Sequence, residues 1–427
     1  MRQERDSPSP QEPLRRPGFA QFWSGSTLTF FAASMTTVAV DALVINELGA
    51  SEAEVGLIRA VQFLPYLLVG LIAGALVDRW RKKPVLVLSA LGSGVVLAAI
   101  PSLWWAGSLS LAAVAVVLFL AGVFGVFTAS AQQSALPALV ARSELVPANA
   151  RLGQSMTVAQ TSGPPLGGAL VSLLGAALSL GAGALGHLLS ALLYARMKVP
   201  EPDFSEAAPS HAGRPSIWRD IRVGMGFLYR HRTLTPLAVS THIWFVANSA
   251  AVTVFALFAL RHLGVSPFLY GVTLALAGIS GLLGALIAPQ IGRRLGEGNA
   301  VILARLLYPI SWALVALAPQ DPVWGLVMLG LAQSLYGFCM GFEDPNEMGY
   351  CQSVTPRHLL GRMHATMRSA NRTCAVIGAL LGGLLAGVIG YHWTLWTIVS
   401  VFTAAALVIG LSPMRGARTS DAEDPQD

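Results

Sequence analysis

Glu343, Asp344 and Glu347 close one long apolar run, and Arg368 and Arg372 lie early in the next. The spacing of four within each pair, Glu343 with Glu347 and Arg368 with Arg372, puts each on one face of a helix. With Asn371 between the arginines, these neighbouring runs are expected to form an acid–arginine network. Protonating one acid would then release an arginine, which gives ion coupling a physical form. The other reading is that Asp344-Pro345 ends its helix and leaves the acids in water. Asp41 is the one acid within the first apolar run. It is either a proton-loading group beside a cavity or an interfacial acid meeting water, and both readings stand at this point. Gln132, Gln160, His242, Asn248, Tyr336 and Asn371 are polar residues set in apolar runs and are expected to line a substrate cavity. His242, His187 and His364 titrate or simply pack. No metal-ligand spacing, nucleophile elbow or phosphate loop appears, so an integral-membrane enzyme is the weaker class and neither metal nor cofactor is expected.

Such residues need a scaffold that keeps them from lipid. Of 427 residues, 54% are hydrophobic and 12% charged, about half the charge of a soluble domain. The apolar residues come in blocks of roughly 18–25, long enough to cross about 30 Å of hydrocarbon as helices. Backbone polar groups in lipid must be satisfied within the segment, and alternating barrel strands are absent. The blocks predict an all-α membrane protein with twelve transmembrane helices in two six-helix pseudo-symmetric bundles. The spans fall at about 20–46, 54–77, 84–106, 109–133, 150–176, 178–197, 235–261, 267–291, 299–318, 323–345, 361–389 and 391–412. The expected division is a tail over 1–18, a first bundle over 19–197, a linker over 198–232, a second bundle over 233–412 and a tail over 413–427. Within the linker, Ile217, Ile221, Met225 and Leu228 share a face as in an amphipathic or plain linker helix. Basic residues collect on one side of the threaded chain, with Arg261 the main exception, so both termini are expected in the cytoplasm. The three cysteines, Cys339, Cys351 and Cys374, read as packing residues. The net charge of +6 is explained by topology and not by nucleic acid.

The two halves repeat. Gly163, Gly167 and Gly168 match Gly378, Gly382 and Gly383, and Arg142 matches Arg357, at a separation of about 210–215 residues. Parallel repeats of this kind place a substrate site between bundles that rock around it. After the second span the chain reads Gly74-Ala75-Leu76-Val77-Asp78-Arg79-Trp80-Arg81-Lys82-Lys83. This resembles the signature loop of the major facilitator superfamily, except that Arg81 stands where the general pattern has glycine. Gly74 permits close helix approach, and Asp78, Arg79, Lys82 and Lys83 form a charged latch with Arg362 as a candidate partner. An ordinary basic loop would explain the cations but not Gly74, Leu76 and Asp78. The second copy keeps Gly284 and Leu286 but has Ala288 in place of the aspartate.

Gly163-Pro164-Pro165-Leu166-Gly167-Gly168 resembles the antiporter element of that superfamily, a kinked and closely packed hinge. Ser134 to Val140, Asn149-Ala150 and this run together resemble the enterobactin-exporter and macrolide-efflux branch. Gln132 and Gln133 depart from it where many exporters carry an arginine. The resemblance implies a proton-coupled exporter of an amphipathic drug, natural product or siderophore. It would be a monomer in contact with lipid in a bacterial inner membrane, with small-molecule substrate and protons as its partners. A proton-coupled uptake symporter is the same-fold alternative, and a non-transporting receptor the remoter one.

Overall fold

The computed structural model describes residues 18–198, 217–356 and 359–419, all of them helical or in short connections. The helices are α1 (Phe19–Ala42), α2 (Glu52–Leu68), α3 (Gly70–Arg79), α4 (Lys82–Trp105), α5 (Leu111–Leu139), α6 (Leu145–Leu174) and α7 (Ala176–Arg196). After the connecting stretch come α8 (Ile217–Leu228), α9 (Leu234–Leu257), α10 (Pro267–Leu295), α11 (Glu297–Ala316), α12 (Pro322–Val354) and α13 (Leu360–Gly410). Ten helical segments among the described residues are long and apolar enough to cross a membrane. One of these, α13, holds 51 residues and breaks at Gly390 (φ 78°), which divides it where the sequence predicts two spans. The 30-residue α6 is long enough to cross but is not among the ten.

Local sequence explains the ends. Ser110, Ser266 and Asp321 accept hydrogen bonds from the first free amides of α5, α10 and α12, and Pro267 and Pro322 stand where no amide is needed. Pro65 lies inside α2, and the helical run is interrupted at Val69 (φ −112°, ψ −17°) before resuming as α3. The second predicted span is therefore broken. The helix α12 runs through Pro345 to Val354, so Asp344-Pro345 does not end it.

The repeat is visible in backbone detail. Helix α9 follows α1 by 215 residues at both ends, and each continues into a single π-helical turn, Leu43–Glu47 and Phe258–His262. Each turn closes with a residue of positive φ, Gly49 (60°) and Gly264 (64°), where only glycine is unstrained. By contacts the chain forms two compact units, one of Met1–Val40 with Leu68–His211 and one of Asp41–Leu67 with Ala212–Asp427. In the first, α4 packs on α5 and α7, and Phe19, Phe22, Leu86 and Tyr194 anchor a core. In the second, α9 packs on α13 and α12 on α10 and α11, with α8 lying on α13. On α8, Leu228 is buried and Met225 exposed, while Ile217 and Ile221 have side chains outside the described residues.

Candidate functional site

Within the second unit, α9, α11, α12 and the start of α13 enclose a cavity of about 400 Å³. It lies at the end where α12 stops and α13 begins. Trp244 and Phe245 come from α9, Arg305 from α11, Glu343, Asp344 and Glu347 from α12, and Arg368, Asn371 and Arg372 from α13. Met340, Met348 and Met367 supply pliable apolar wall.

Arg305 organises the acids. Its Nε lies 2.6 Å from Glu343 Oε1, with both side chains 3% exposed. The pair is close, but the N–H is not directed at that oxygen, so neither atom completes a hydrogen bond. Nη2 donates to Glu347 Oε2 (3.1 Å) and to Thr241 Oγ1 (3.1 Å). The Tyr308 hydroxyl donates to Glu343 Oε2. The guanidinium also stands 5.3 Å from the Trp244 ring, a favourable cation–π geometry. Ala90, which precedes Arg305 by 215 residues in the repeat, has no charge to offer, so this network belongs to one half.

The expected network thus exists with a different cation. Arg368 and Arg372 face the same cavity, but Glu343 and Glu347 pair with Arg305 across adjacent helices. Arg372 instead lies 4.8 Å from the Tyr66 ring centroid. Arg305 was detectable as a lone cation inside an apolar run, by the same cost argument that singled out the acids. Arg59 was detectable in the same way. Asp41 is 3% exposed and accepts two 2.6 Å bonds from Arg59 Nη2 and one of 2.9 Å from the Tyr270 hydroxyl. The interfacial reading of Asp41 is therefore corrected: its carboxylate meets a guanidinium and a phenol, not water.

A second clasp lies near the first. Arg261 donates to Glu52 Oε1 (3.1 Å), Ala50 O (2.6 Å) and Ile45 O (3.1 Å), and Tyr391 donates to the same Glu52 oxygen (2.6 Å). The basic residue that breaks the charge asymmetry is thus structurally employed. A Cβ on Gly383 would meet the backbone of Glu52 and Gly56, which binds Asp41–Leu67 to α13 through bare backbone.

The remaining predicted residues fall as follows. His242 bonds Tyr229 through Nε2 and Asn371 Oδ1 through Nδ1, both at 2.7 Å, so its ring is satisfied and positions Asn371. Tyr336 donates to Asn248 Oδ1 at 2.6 Å. In the first unit Gln132 donates to the Tyr194 hydroxyl at 2.9 Å, and Gln160 is exposed on α6. Gly163, Pro164, Gly167 and Gly168 are buried in α6 and Pro165 is half-buried. A Cβ on Gly163 would strike Ser34, and one on Gly167 the backbone of Met35, so this run carries a close helix contact with α1. Gly378 and Gly382 make the matching contacts with Val246 and Ala250. Around Gly74 the structure leaves open space. Arg79 is exposed at the end of α3, Lys82 donates to Val77 O, and Lys83 is half-buried. Arg362 is exposed at the start of α13. The side chains of Asp78, Arg142 and Arg357 lie outside the described residues.

An all-helical chain with repeated halves and a partly charged cavity among spans defines a multi-pass membrane transporter. The Major Facilitator Superfamily model matches residues 22–376, and the chain belongs to that family. It is similar to the multidrug efflux pump Tap of Mycobacterium bovis, 26% identical over 388 residues that cover 88% of each chain. It is also similar to the enterobactin exporter EntS of Salmonella choleraesuis, 27% identical over 354 residues, 81% of this chain and 79% of that one. Among solved structures, the nucleoside transporter NupG shares the fold with a TM-score of 0.72 at 14% identity, over 94% of this chain and 99% of that chain.

Proposed function

We propose that the protein exports an amphipathic small molecule by alternating access, in exchange for protons, across a bacterial inner membrane with both termini in the cytoplasm. The observation that carries this reading is the Arg305–Glu343–Glu347 group, with Arg305 and Glu343 buried, in the wall of a cavity that also presents apolar and aromatic surface. A carboxylate held by one arginine inside a span can exchange that cation for a proton, and the freed guanidinium then changes its contacts. Trp244 and the methionines offer a ligand area without demanding one shape. The efflux and siderophore-export names of the relatives favour export over uptake. The nucleoside transporter among the structural neighbours shares the fold alone and does not bear on direction.

On this reading, the Asp41–Arg59–Tyr270 and Glu52–Arg261–Tyr391 clasps hold one gate shut while the cavity is open at the other. The signature loop after α2, with Asp78 as its acid, latches the opposite gate, and the glycine–proline run in α6 is the hinge. Right-side-out and inverted vesicles given opposed pH gradients test the direction. Ethidium and naphthalenesulfonate together serve as probes of either charge. Export predicts probe accumulation in inverted vesicles with an acid lumen, and its loss of pH dependence in Glu343→Gln. Accumulation in right-side-out vesicles driven by external acid would establish uptake instead, and unchanged pH dependence in the variant would move the proton site to Asp41.

A further inference from the structure

Two arginines in the cavity wall, Arg368 and Arg372, have no acceptor among the described residues. Arg305 Nη1 and Trp244 Nε1 are buried and have no partner among the described residues. Arg305 is 3% exposed and Trp244 7%. Both line the cavity. On the facing helix α13, Arg368 and Arg372 stand four residues apart, and neither has an ion pair or hydrogen bond among the described residues. Like charges at that spacing destabilise a helix, and a guanidinium within a span without a counter-ion is costly. Among the described residues, the Tyr66 ring is what steadies Arg372. On the acceptor side, Glu343 and Glu347 lie against Arg305, Glu343 Oε1 completes no hydrogen bond, and Asp344 has no partner among the described residues. Buried polar groups in proteins are rarely left unsatisfied.

We infer that the cavity binds an organic anion with an aromatic body, its charged group held between Arg368 and Arg372 and its ring beside Trp244. A carboxylate, sulfonate or phosphate supplies several acceptors to the planar donor forks of the arginines, which an ammonium group cannot. This names the substrate class of the exporter proposed above and rests on that reading only for the direction of movement. The same anionic chemistry occurs in free solutes and in the headgroups of acidic lipids.

Calorimetric titration of the full chain in nanodiscs tests the inference, with empty nanodiscs as blank. Naphthalenesulfonate, the neutral naphthalenesulfonamide and naphthylmethylammonium form a matched series. In phosphatidylcholine alone, the sulfonate is expected to bind on the order of tenfold more tightly than the sulfonamide, as befits charge-assisted bonds. Arg368→Gln/Arg372→Gln should abolish that ratio, while Arg368→Lys/Arg372→Lys should keep part of it. Phosphatidylglycerol that weakens sulfonate binding in the wild type alone assigns the anion to a lipid headgroup, which keeps the arginine site and overturns the aromatic body; no effect assigns it to a free solute and supports both. Equal binding of all three probes, tighter binding of the ammonium, or a sulfonate preference that survives the double Gln variant would overturn it. Because no gradient is applied, loss of the preference leaves the exporter reading standing. A chain that binds the sulfonate yet moves no probe in vesicles would lose the exporter reading and keep the site.

Discussion

Arg305 stands between two glutamates, a threonine and an indole ring, with almost no access to water. Removing one partner of such a group leaves an uncompensated buried charge, whereas replacing both by apolar groups of similar size does not. Arg305→Met should therefore lower thermal stability in detergent by the equivalent of about 3–5 kcal/mol. Arg305→Met/Glu343→Leu/Glu347→Leu, which removes both carboxylates with their cation, should recover most of that loss in the same melting assay; equal losses in single and triple variants would show that the ion pairs are not the cause. At the latch, Asp78→Asn is expected to impair flux of the vesicle probes while insertion and yield stay normal, and normal flux would remove the latch from the mechanism. The acids of this site were legible in the sequence because a carboxylate inside an apolar run is costly and so stands out. Arg59 and Arg305 obey the same logic, yet arginines are also the currency of membrane topology, and that second role drew attention to those between spans. The choice of Arg305 over Arg368 as counter-ion depends on how α11 and α12 pack. No spacing along the chain reports that.

Helices here approach one another through glycine. On α12, Gly337 and Gly341 lie against the backbone of Ala277 and Gly281 on α10; on α6 and α13, Gly167 and Gly382 lie against Met35 and Ala250. Lipid provides no hydrophobic drive for helix association, so the close packing that glycine allows carries much of it. Gly167→Val and Gly382→Val should each cost about 1–3 kcal/mol through forced displacement of the facing backbone. Gly153→Ala, on a helix face with open space, should be silent or slightly stabilising. Size-exclusion profiles after graded heating separate the two outcomes, and equal behaviour of all three would contradict the packing account. The repeat was legible from these glycines, and the structure extends it to matched π-helical turns after α1 and α9. The interruption at Val69 was not legible, because Pro65 signals a kink without fixing where the helical run is distorted. The continuation of α12 past Pro345 was also hidden. There the Asn346 side chain donates to Phe342 O (2.7 Å) and Ala288 O (3.2 Å), contacts that sequence cannot foresee.

At the scale of the whole molecule, the partition of contacts does not follow the order of the chain. Asp41–Leu67 precedes most of the first half in sequence, yet it groups with Ala212–Asp427. Its attachment runs through Arg59 and Asp41 to Tyr270, through Glu52 to Arg261 and Tyr391, and through Gly56 to α13. The fold class and repeated halves could be read from apolar block length and glycine spacing, but this exchange of a segment is a tertiary property. It also gives the alternating-access account a definite moving part: the segment must leave its partners once per cycle. The measurement that tests this uses Glu52→Cys/Arg261→Cys in a background with Cys339, Cys351 and Cys374 changed to serine. The pair is joined by a short bifunctional thiosulfonate, and probe flux is followed in proteoliposomes. The account predicts that flux stops when the clasp is joined and returns on reduction. Undiminished flux with the clasp joined would contradict it.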